Sequence, residues 1–324
     1  VLTETVRHLI EADGRVSGEV LSERFGVSRA ALQKWIVKLR GEGFSIDAKP
    51  RRGYKLISMP DALLAETVGA HLKTKWLARR IVAQWSVGST NDELIRAASR
   101  GAAHGTCAMA ETQTGGRGRR RRAWHSPPRK NIYLSALLRP PIPPHRASIL
   151  TLASAVAVAE AVEEVAGCET KLKWPNDLMF EGRKLCGILT EISGDPDRVA
   201  WIVVGVGINV NCDAFPAELK EIATSLKLAT GKSVDRVRLA ARVCDRLEHW
   251  HDRYLAEGSE VVLSAWKDRP NILGEQVRVT PPGPSEEISG EASDLDSDGA
   301  LLLQNGRGVR KRIISGDLIQ RVDG

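Results

Sequence analysis

The ten residues from Gly115 to Trp124 read Gly-Gly-Arg-Gly-Arg-Arg-Arg-Arg-Ala-Trp, five arginines and three glycines with no acid among them. Glycine lets a backbone turn sharply and approach a ligand closely, and each guanidinium is a permanently charged planar fork matched to carboxylate or phosphate. Such a stretch buries little apolar surface and stays mobile until an anion orders it. Two readings compete. One is a basic tract for nonspecific contact with nucleic acid; the other is a loop that clamps an anionic ligand inside a folded domain. The globular sequence on both sides and the aromatic anchor Trp124 favour the clamp.

Three further clusters bear chemistry. Ser89, Thr90 and Asn91 gather small hydrogen-bonding groups where a strand, Ile81–Trp85, turns into a helix running to about Gly101. A helix cap alone would explain that cluster. Lys173, Asn176 and Asp177 lie together in Lys171-Leu172-Lys173-Trp174-Pro175-Asn176-Asp177, and a hairpin turn at Glu181-Gly182-Arg183 carries Lys184 into the strand Leu185–Glu191. Gln113 ends a strand-like run from Thr106 that delivers the chain to the arginines. Gly205 and Gly207 are not a dinucleotide fingerprint, because the third glycine is missing and no helix opens there.

These groups need a scaffold, and 324 residues with 42% hydrophobic and 27% charged content suffice for two or three domains. The net charge of +7 is uneven: residues 25–55 carry +6 and residues 271–324 carry −3, so a polyanion is steered to the N-terminal end. Leu2, Val6, Leu9 and Ile10 predict a helix over 2–12. A short helix, a turn at Gly26 and a second helix capped by Ser28 follow, the latter running to about Arg40 with Val27, Leu32, Ile36 and Leu39 inward. The outward set on that helix is Ser28, Arg29, Ala30, Gln33, Lys34 and Lys38, placed as in a recognition helix. Ser45–Ala48 and Tyr54–Ile57 flank a basic tip with Arg51 and Arg52, a wing able to touch phosphates. A packing module without a DNA role is the competing reading.

Beyond a boundary at Pro60-Asp61 come a helical stretch over about 61–80, the strands above, Asn131–Leu138, a buried helix over Ser148–Val165, and the strand Trp201–Val210. Many strands with few helices between them predict an α+β sheet domain rather than a doubly wound one. Residues 232–257 read as an amphipathic helix. Short strands at Gln276–Thr280, Glu287–Ser293, Ala300–Leu303 and Arg310–Ile314, separated by Pro-Pro-Gly, Asp-Ser-Asp-Gly and Asn-Gly turns, predict a small β-barrel. The expected domains are therefore 1–60, 61–270 and 271–324. No run approaches 18 apolar residues, so neither a spanning helix nor a membrane partner is expected. The start Val1-Leu2-Thr3-Glu4 lacks the order of a signal peptide, and five scattered cysteines without a CxxC pair read as reduced, so a cytoplasmic location is expected.

Taken in order, Gly88-Ser89-Thr90-Asn91, Gln113 with Gly116-Arg117-Gly118-Arg119-Arg120, Lys173-Trp174-Pro175-Asn176-Asp177 and Lys184-Leu185-Cys186-Gly187-Ile188-Leu189 resemble the biotin protein ligases. Ser17 to Lys34 resembles the N-terminal module of the bifunctional subclass, the biotin operon repressors. The resemblance implies a winged helix-turn-helix, a central mixed sheet of the class II synthetase and biotin ligase kind, and an SH3-like C-terminal barrel. It implies that biotin attacks the α-phosphate of ATP to give biotinyl-5′-adenylate, and that a lysine of the biotin carboxyl carrier protein then takes the biotinyl group. Two anions must meet before reaction, which explains the concentration of cations.

By the same resemblance, Arg119, Lys184 and Asp177 are the catalytic set. Ser89, Thr90, Asn91, Gln113, Gly116, Arg117, Gly118, Arg119, Lys184 and Gly187 bind biotin. Arg117, Arg119, Arg120, Arg122, Trp124, Asn176, Lys184 and Asn209 bind ATP and the adenylate, with Trp124 stacked on adenine. Asp177 meets Mg2+ through pyrophosphate. The closed loop keeps water from the anhydride. Family members often carry glycine where this chain has Arg121. No contact is assigned to the segment Asn211–Ala223. The resemblance also implies operator DNA as a partner and homodimerisation on adenylate binding, for which Trp201–Val210 is the edge-strand candidate. Three alternatives stay open: a ligase whose winged helix has no regulatory role, a ligand-sensing repressor without turnover, and a lipoate ligase of the same sheet fold.

Overall fold

The computed structural model describes residues 2–12, 14–282 and 286–320. Leu2–Glu11 forms α1, and two serines open the next helices. Ser17 Oγ accepts from Val20 N at 3.1 Å to start α2 (Gly18–Phe25), and Ser28 Oγ accepts from Ala31 N at 3.2 Å to start α3 (Arg29–Gly41). Gly26, at φ +61°, makes the turn between them. Leu32, Ile36 and Leu39 of α3 are buried with Val6, Leu9 and Leu21, and Val27 packs against them. The hairpin of β1 (Ser45–Lys49) and β2 (Gly53–Ser58) completes the winged helix.

The helix expected over 61–80 is confined to α4 (Ala65–His71). The reason is competition for the backbone. The amide of Lys73 donates to Asp245 at 2.8 Å, and those of Lys75, Trp76 and Leu77 donate to Glu248 at 2.6, 2.8 and 2.7 Å, so they cannot serve a helix. Through α4 the winged helix is fixed to the rest of the chain: Arg7 Nη2 donates to Gly69 O at 2.6 Å, and Thr3 lies so close over Gly69 that a Cβ there would meet it at 2.5 Å.

The central domain contains β3 (Ile81–Gln84), α5 (Thr90–Ser99), β4 (Cys107–Ala110), β5 (Ile132–Leu138), α6 (Ala147–Ala166), β6 (Lys171–Lys173), β7 (Asp177–Phe180), β8 (Arg183–Asp195) and β9 (Arg198–Ile208), then α7 (Leu226–Thr230), α8 (Arg236–Glu257) and α9 (Ser259–Lys267). Its seven strands lie in the order β3-β4-β5-β9-β8-β7-β6; β3 and β4 are parallel and every other pair is antiparallel. The Trp201–Val210 segment is therefore no edge. It falls largely in β9, which is paired along its length with both β5 and β8. Among the described strands β3 and β6 are outermost, and Leu172 N of β6 donates to Pro270 O at 2.8 Å. A period-two apolar pattern identifies a buried face but carries no information about which strand lies outermost.

One sheet face is covered by α6 and α8 and the other by α5, whose Leu94 and Ala98 pack on Ala108, Leu137 and Val203. All five cysteines are buried and free. The C-terminal strands β10 (Gln276–Thr280), β11 (Ile288–Leu295), β12 (Leu301–Gln304), β13 (Arg310–Ile313) and β14 (Asp317–Gln320) form an antiparallel sheet in the order β13-β12-β11-β10-β14. Its Val277, Val279, Leu301 and Leu303 join the central apolar core, and Trp174 Nε1 donates to Gly299 O at 3.0 Å. The Pro281-Pro282-Gly283 turn ends outside the described residues, as do residues 321–324 of the C-terminal domain.

A histidine cluster lies where α8 meets the segment after α4. Trp76 stacks on His104 at 4.2 Å, His251 lies 5.3 Å from His104, and His104 Nδ1 accepts from Arg139 N at 2.9 Å. Burial lowers the imidazole pKa of His71, His104 and His251 below the usual 6.5. The neutral forms favour the fold. That stability is complete above about pH 6.5 and is lost as pH falls below it through the folded-state values. Thermal melts between pH 8 and 5 are expected to hold Tm above neutrality and to show it falling below about pH 6.5. A flat profile would contradict the burial of these imidazoles.

Candidate active site

A cavity of about 410 Å3 opens on the sheet face that α5 covers, beyond the N-terminal end of that helix. Its floor is made of glycines. Gly187 lies opposite Gly207 in the β8/β9 register. A Cβ at Gly207 would come within 2.7 Å of the Trp124 ring, and one at Gly205 within 2.2 Å of Asn91 Oδ1. Alternate glycines on one strand face thus leave the space for the Trp124 ring and the α5 N-terminus. That spacing was visible in Val-Gly-Val-Gly and was the signal to follow once the dinucleotide reading failed.

The uncharged end is built around the start of α5. Ser89 precedes the helix, and its hydroxyl makes no capping hydrogen bond although the residue is buried and lines the cavity. Thr90 N and Oγ1 donate to Gln113 Oε1 at 2.9 and 3.2 Å. Asn91 is used internally: Nδ2 donates to Leu189 O and Glu191, and Oδ1 accepts from Ser135 Oγ at 2.6 Å. Gly116 supports this end from behind, since a Cβ there would strike Gln113 and Ser126 at 2.8 Å; it is not on the cavity wall.

The charged end gathers Arg119, Lys173 and Lys184 around Asn176 and Asp177. Lys184 Nζ lies 2.7 Å from Asp177 Oδ1 and 5.4 Å from the centroid of the Trp124 ring. Arg119 Nη1 donates to Gly316 O at 3.0 Å and reaches Asn176 Oδ1 at 3.4 Å. Burial lowers the pKa of both Arg119 and Lys173, opposed at each by the charge of Asp177 and of Asp317. The opposite charge of an incoming anion would offset that desolvation, so the arrangement is poised to take one.

The arginine loop divides its side chains between three destinations. Arg117 turns to Asp92, 2.7 Å from each carboxylate oxygen, and to Glu191 at 2.9 Å. Arg119 enters the cavity. Arg120 leaves it and binds Thr280 O at 2.7 Å and Asp317 at 3.1 Å, and Arg122 also pairs with Asp317. Arg120 and Arg121 have φ of +53° and +58°, so the position where glycine is common in the resembled family adopts a left-handed conformation here. The wall includes Ser89, Thr90, Asn91, Gln113, Arg117, Gly118, Arg119, Arg122, Trp124, Asn176, Asp177, Lys184, Gly187 and Asn209; Gly116 and Arg120 are the expected residues outside it. Lys173, singled out beside Asn176 and Asp177, lines the cavity too; Phe215, Leu219 and Ile222 after β9, Met179 of β7, and Gly316, Asp317 and Leu318 from the C-terminal segment were not anticipated.

A second surface lies apart from the cavity. Ser28, which caps α3, and Arg29, Ala30, Gln33, Lys34 and Lys38 on it, with Arg51 and Arg52 at the hairpin tip, are all exposed. Val37, 61% exposed on α3, adds an apolar group beside them.

Residues 86–209 match the biotin/lipoate A/B protein ligase family, residues 2–55 a helix-turn-helix domain and residues 272–319 the biotin protein ligase C-terminal domain. The bifunctional ligase/repressor BirA of Bacillus subtilis is 37% identical over 94% of this chain and 93% of its own length. The chain belongs to the biotin protein ligase family. BirA of Escherichia coli is 33% identical to this ligase, over 94% of the chain and 92% of its own. A biotin protein ligase from Aquifex aeolicus, solved in complex with biotin and ATP, superposes with a TM-score of 0.65 at 31% identity, over 75% of this chain and 99% of that one. The matches to the bifunctional relatives extend over 94% of this chain, which carries the helix-turn-helix, ligase-family and C-terminal segments. No helix among its described residues is long and apolar enough to cross a membrane.

Proposed function

We propose that this ligase activates biotin with ATP to biotinyl-5′-adenylate, transfers the biotinyl group to a lysine of the biotin carboxyl carrier protein, and represses biotin synthesis genes through its winged helix. The observation that carries the catalytic half is the division of one cavity into an uncharged hydrogen-bonding end and an end where Arg119, Lys173 and Lys184 converge. Ser89, Thr90 and Gln113 suit a neutral ureido head. The cations suit a carboxylate and a phosphate brought within bonding distance, and they offset the charge that grows on the phosphate oxygens. The apolar Phe215, Leu219 and Ile222 offer a wall for a base. Trp124, seated on the glycine floor beside Lys184, would stack on the ligand from the opposite side.

Among the described residues no group of three or more His, Cys, Asp or Glu is arranged to hold a metal ion. Mg2+ commonly arrives with a triphosphate and takes only one or two protein carboxylates. Asp177, with Asn176 next to it, fits that use, and the ion would supply charge neutralisation at the pyrophosphate. The regulatory half rests on the exposed basic face of α3 and the wing. Operator binding, homodimerisation on adenylate binding, a cytoplasmic location and an SH3-like C-terminal fold complete the reading, with segments 1–60, 61–270 and 271–324 as its working parts.

The test joins two assays on one preparation. Labelled biotin, ATP and Mg2+ should yield labelled carrier protein, and DNA upstream of the biotin genes should be shifted more strongly when biotin and ATP are both present. Labelling without a shift would leave a ligase with a non-regulatory winged helix; a shift without labelling would leave a sensor without turnover. The loop adds a prediction. A non-glycine residue at φ near +58° costs about 1 kcal/mol or more, so Arg121→Gly relieves strain in the observed loop. Dissociation of biotinyl adenylate from that variant is expected to slow about two- to fivefold in a chase experiment.

A further inference from the structure

The arginine loop has two limbs of different standing. Its first limb is zipped to the segment before α5: Thr114 N donates to Val87 O at 2.9 Å, and Gly115 N to Gly88 O at 2.7 Å. The second limb, Gly118 to Arg122, reaches out to Thr280, Gly316 and Asp317 of the C-terminal sheet. Between them stands Arg117. Its Nη1 and Nη2 meet the two oxygens of Asp92 at 2.7 Å each, and Nη2 also lies 2.9 and 3.1 Å from the two oxygens of Glu191. Glu191 is held in turn by Asn91 Nδ2 at 2.7 Å, and Asn91 is 4% exposed.

We propose that Asp92 is a positioning residue which, with Glu191, fixes Arg117 as the post of the arginine loop, leaving anion binding and loop movement to Arg119 and the residues beyond it. This rests on the ligase reading and departs from the role that the resemblance gives Arg117. Two carboxylates and one guanidinium carry a net charge of −1. An anionic ligand arriving there meets no surplus positive charge, unlike at Arg119, Lys173 and Lys184. Bidentate pairing is the strongest geometry a guanidinium offers, and Asp92 lies in the first turn of α5, where a negative charge is favoured. The pairing also raises the Arg117 pKa and lowers that of Asp92. Gly118 follows at once, and its N–H donates to Arg122 O at 2.8 Å, which closes the second limb on itself.

The opposite role for Asp92, a decoy anion that a ligand displaces, predicts effects of the opposite sign. Asp92→Asn keeps the shape and removes the charge. In the 324-residue protein the release of biotinyl adenylate should accelerate about tenfold, while the single-turnover rate of adenylate formation at saturating biotin and ATP changes less than about twofold. Arg117→Ala should add little in the Asp92→Asn background, since the two act as one unit. Asp92→Glu should recover part of the loss. Without any ligand, trypsin should cut the wild type after Arg119 to Arg122 and cut after Arg117 only in the Asp92→Asn protein. Tighter biotin binding by Asp92→Asn, full additivity with Arg117→Ala, or an unchanged trypsin pattern would each overturn the proposal. A wild type that forms no biotinyl adenylate would sink the ligase reading instead, and the trypsin comparison would still decide the post.

Discussion

Lys184→Ala is expected to lower the rate of biotinyl adenylate formation by about 10²- to 10³-fold, the usual cost of removing one preorganised donor from a developing oxyanion. The geometry gives two reasons for an effect of that size. Lys184 is one of three cations at the charged end, and it is the one poised between the Asp177 carboxylate at 2.7 Å and the Trp124 ring. Its removal also leaves Asp177 without its ion-pair partner, facing whatever anion enters. Loss should therefore fall on kcat as well as on the KM for ATP. Pyrophosphate release under single-turnover conditions measures the step directly. The melting temperature should move little, because Lys184 sits on the cavity wall outside the apolar core. A rate within threefold of the wild type would remove Lys184 from the catalytic set.

How much of this was legible in the sequence depends on the range of the interaction. Ser17 and Ser28 announce their helices because a cap is a contact three residues long. The hairpin turn at Glu181-Gly182 was legible for the same reason, with both residues at positive φ. The motifs around Ser89, Gln113, Asn176 and Lys184 were recognisable as a set, and all four side chains line one cavity. What could not be read was partnership across the chain. The segment 72–80 is not helical because Asp245 and Glu248, about 170 positions away, take its amides. Arg117 looked like an anion ligand, and only the fold shows that Asp92 and Glu191 already occupy it. Asp317 gave no local signal at all, yet it holds two loop arginines and lines the cavity.

The largest effect on stability is expected far from the cavity, at Arg236. This side chain is fully buried at the start of α8. Its guanidinium donates to Asp61 Oδ1 at 3.0 Å, Glu111 Oε2 at 2.9 Å, Asn131 O at 3.0 Å and Asp61 O at 2.8 Å. Glu111, 3% exposed, has a second duty, accepting from Leu63 N at 2.6 Å. Arg236 thus ties the segment leading out of the winged helix to the central sheet. Arg236→Ala leaves a buried carboxylate uncompensated, which costs about 3–5 kcal/mol. In a protein of this size that lowers Tm by roughly 4–7 °C in a scanning calorimeter. The charge argument separates itself from simple loss of packing through a second variant. In Arg236→Met with Glu111→Gln, the stranded charge is gone while the amide oxygen can still accept from Leu63. That pair should be more stable than Arg236→Met alone by about 1–3 kcal/mol. If the double variant melts no higher than the single one, the cost lies in the lost hydrogen bonds to Asp61 and Asn131, and Glu111 is held by Leu63 N without help from Arg236.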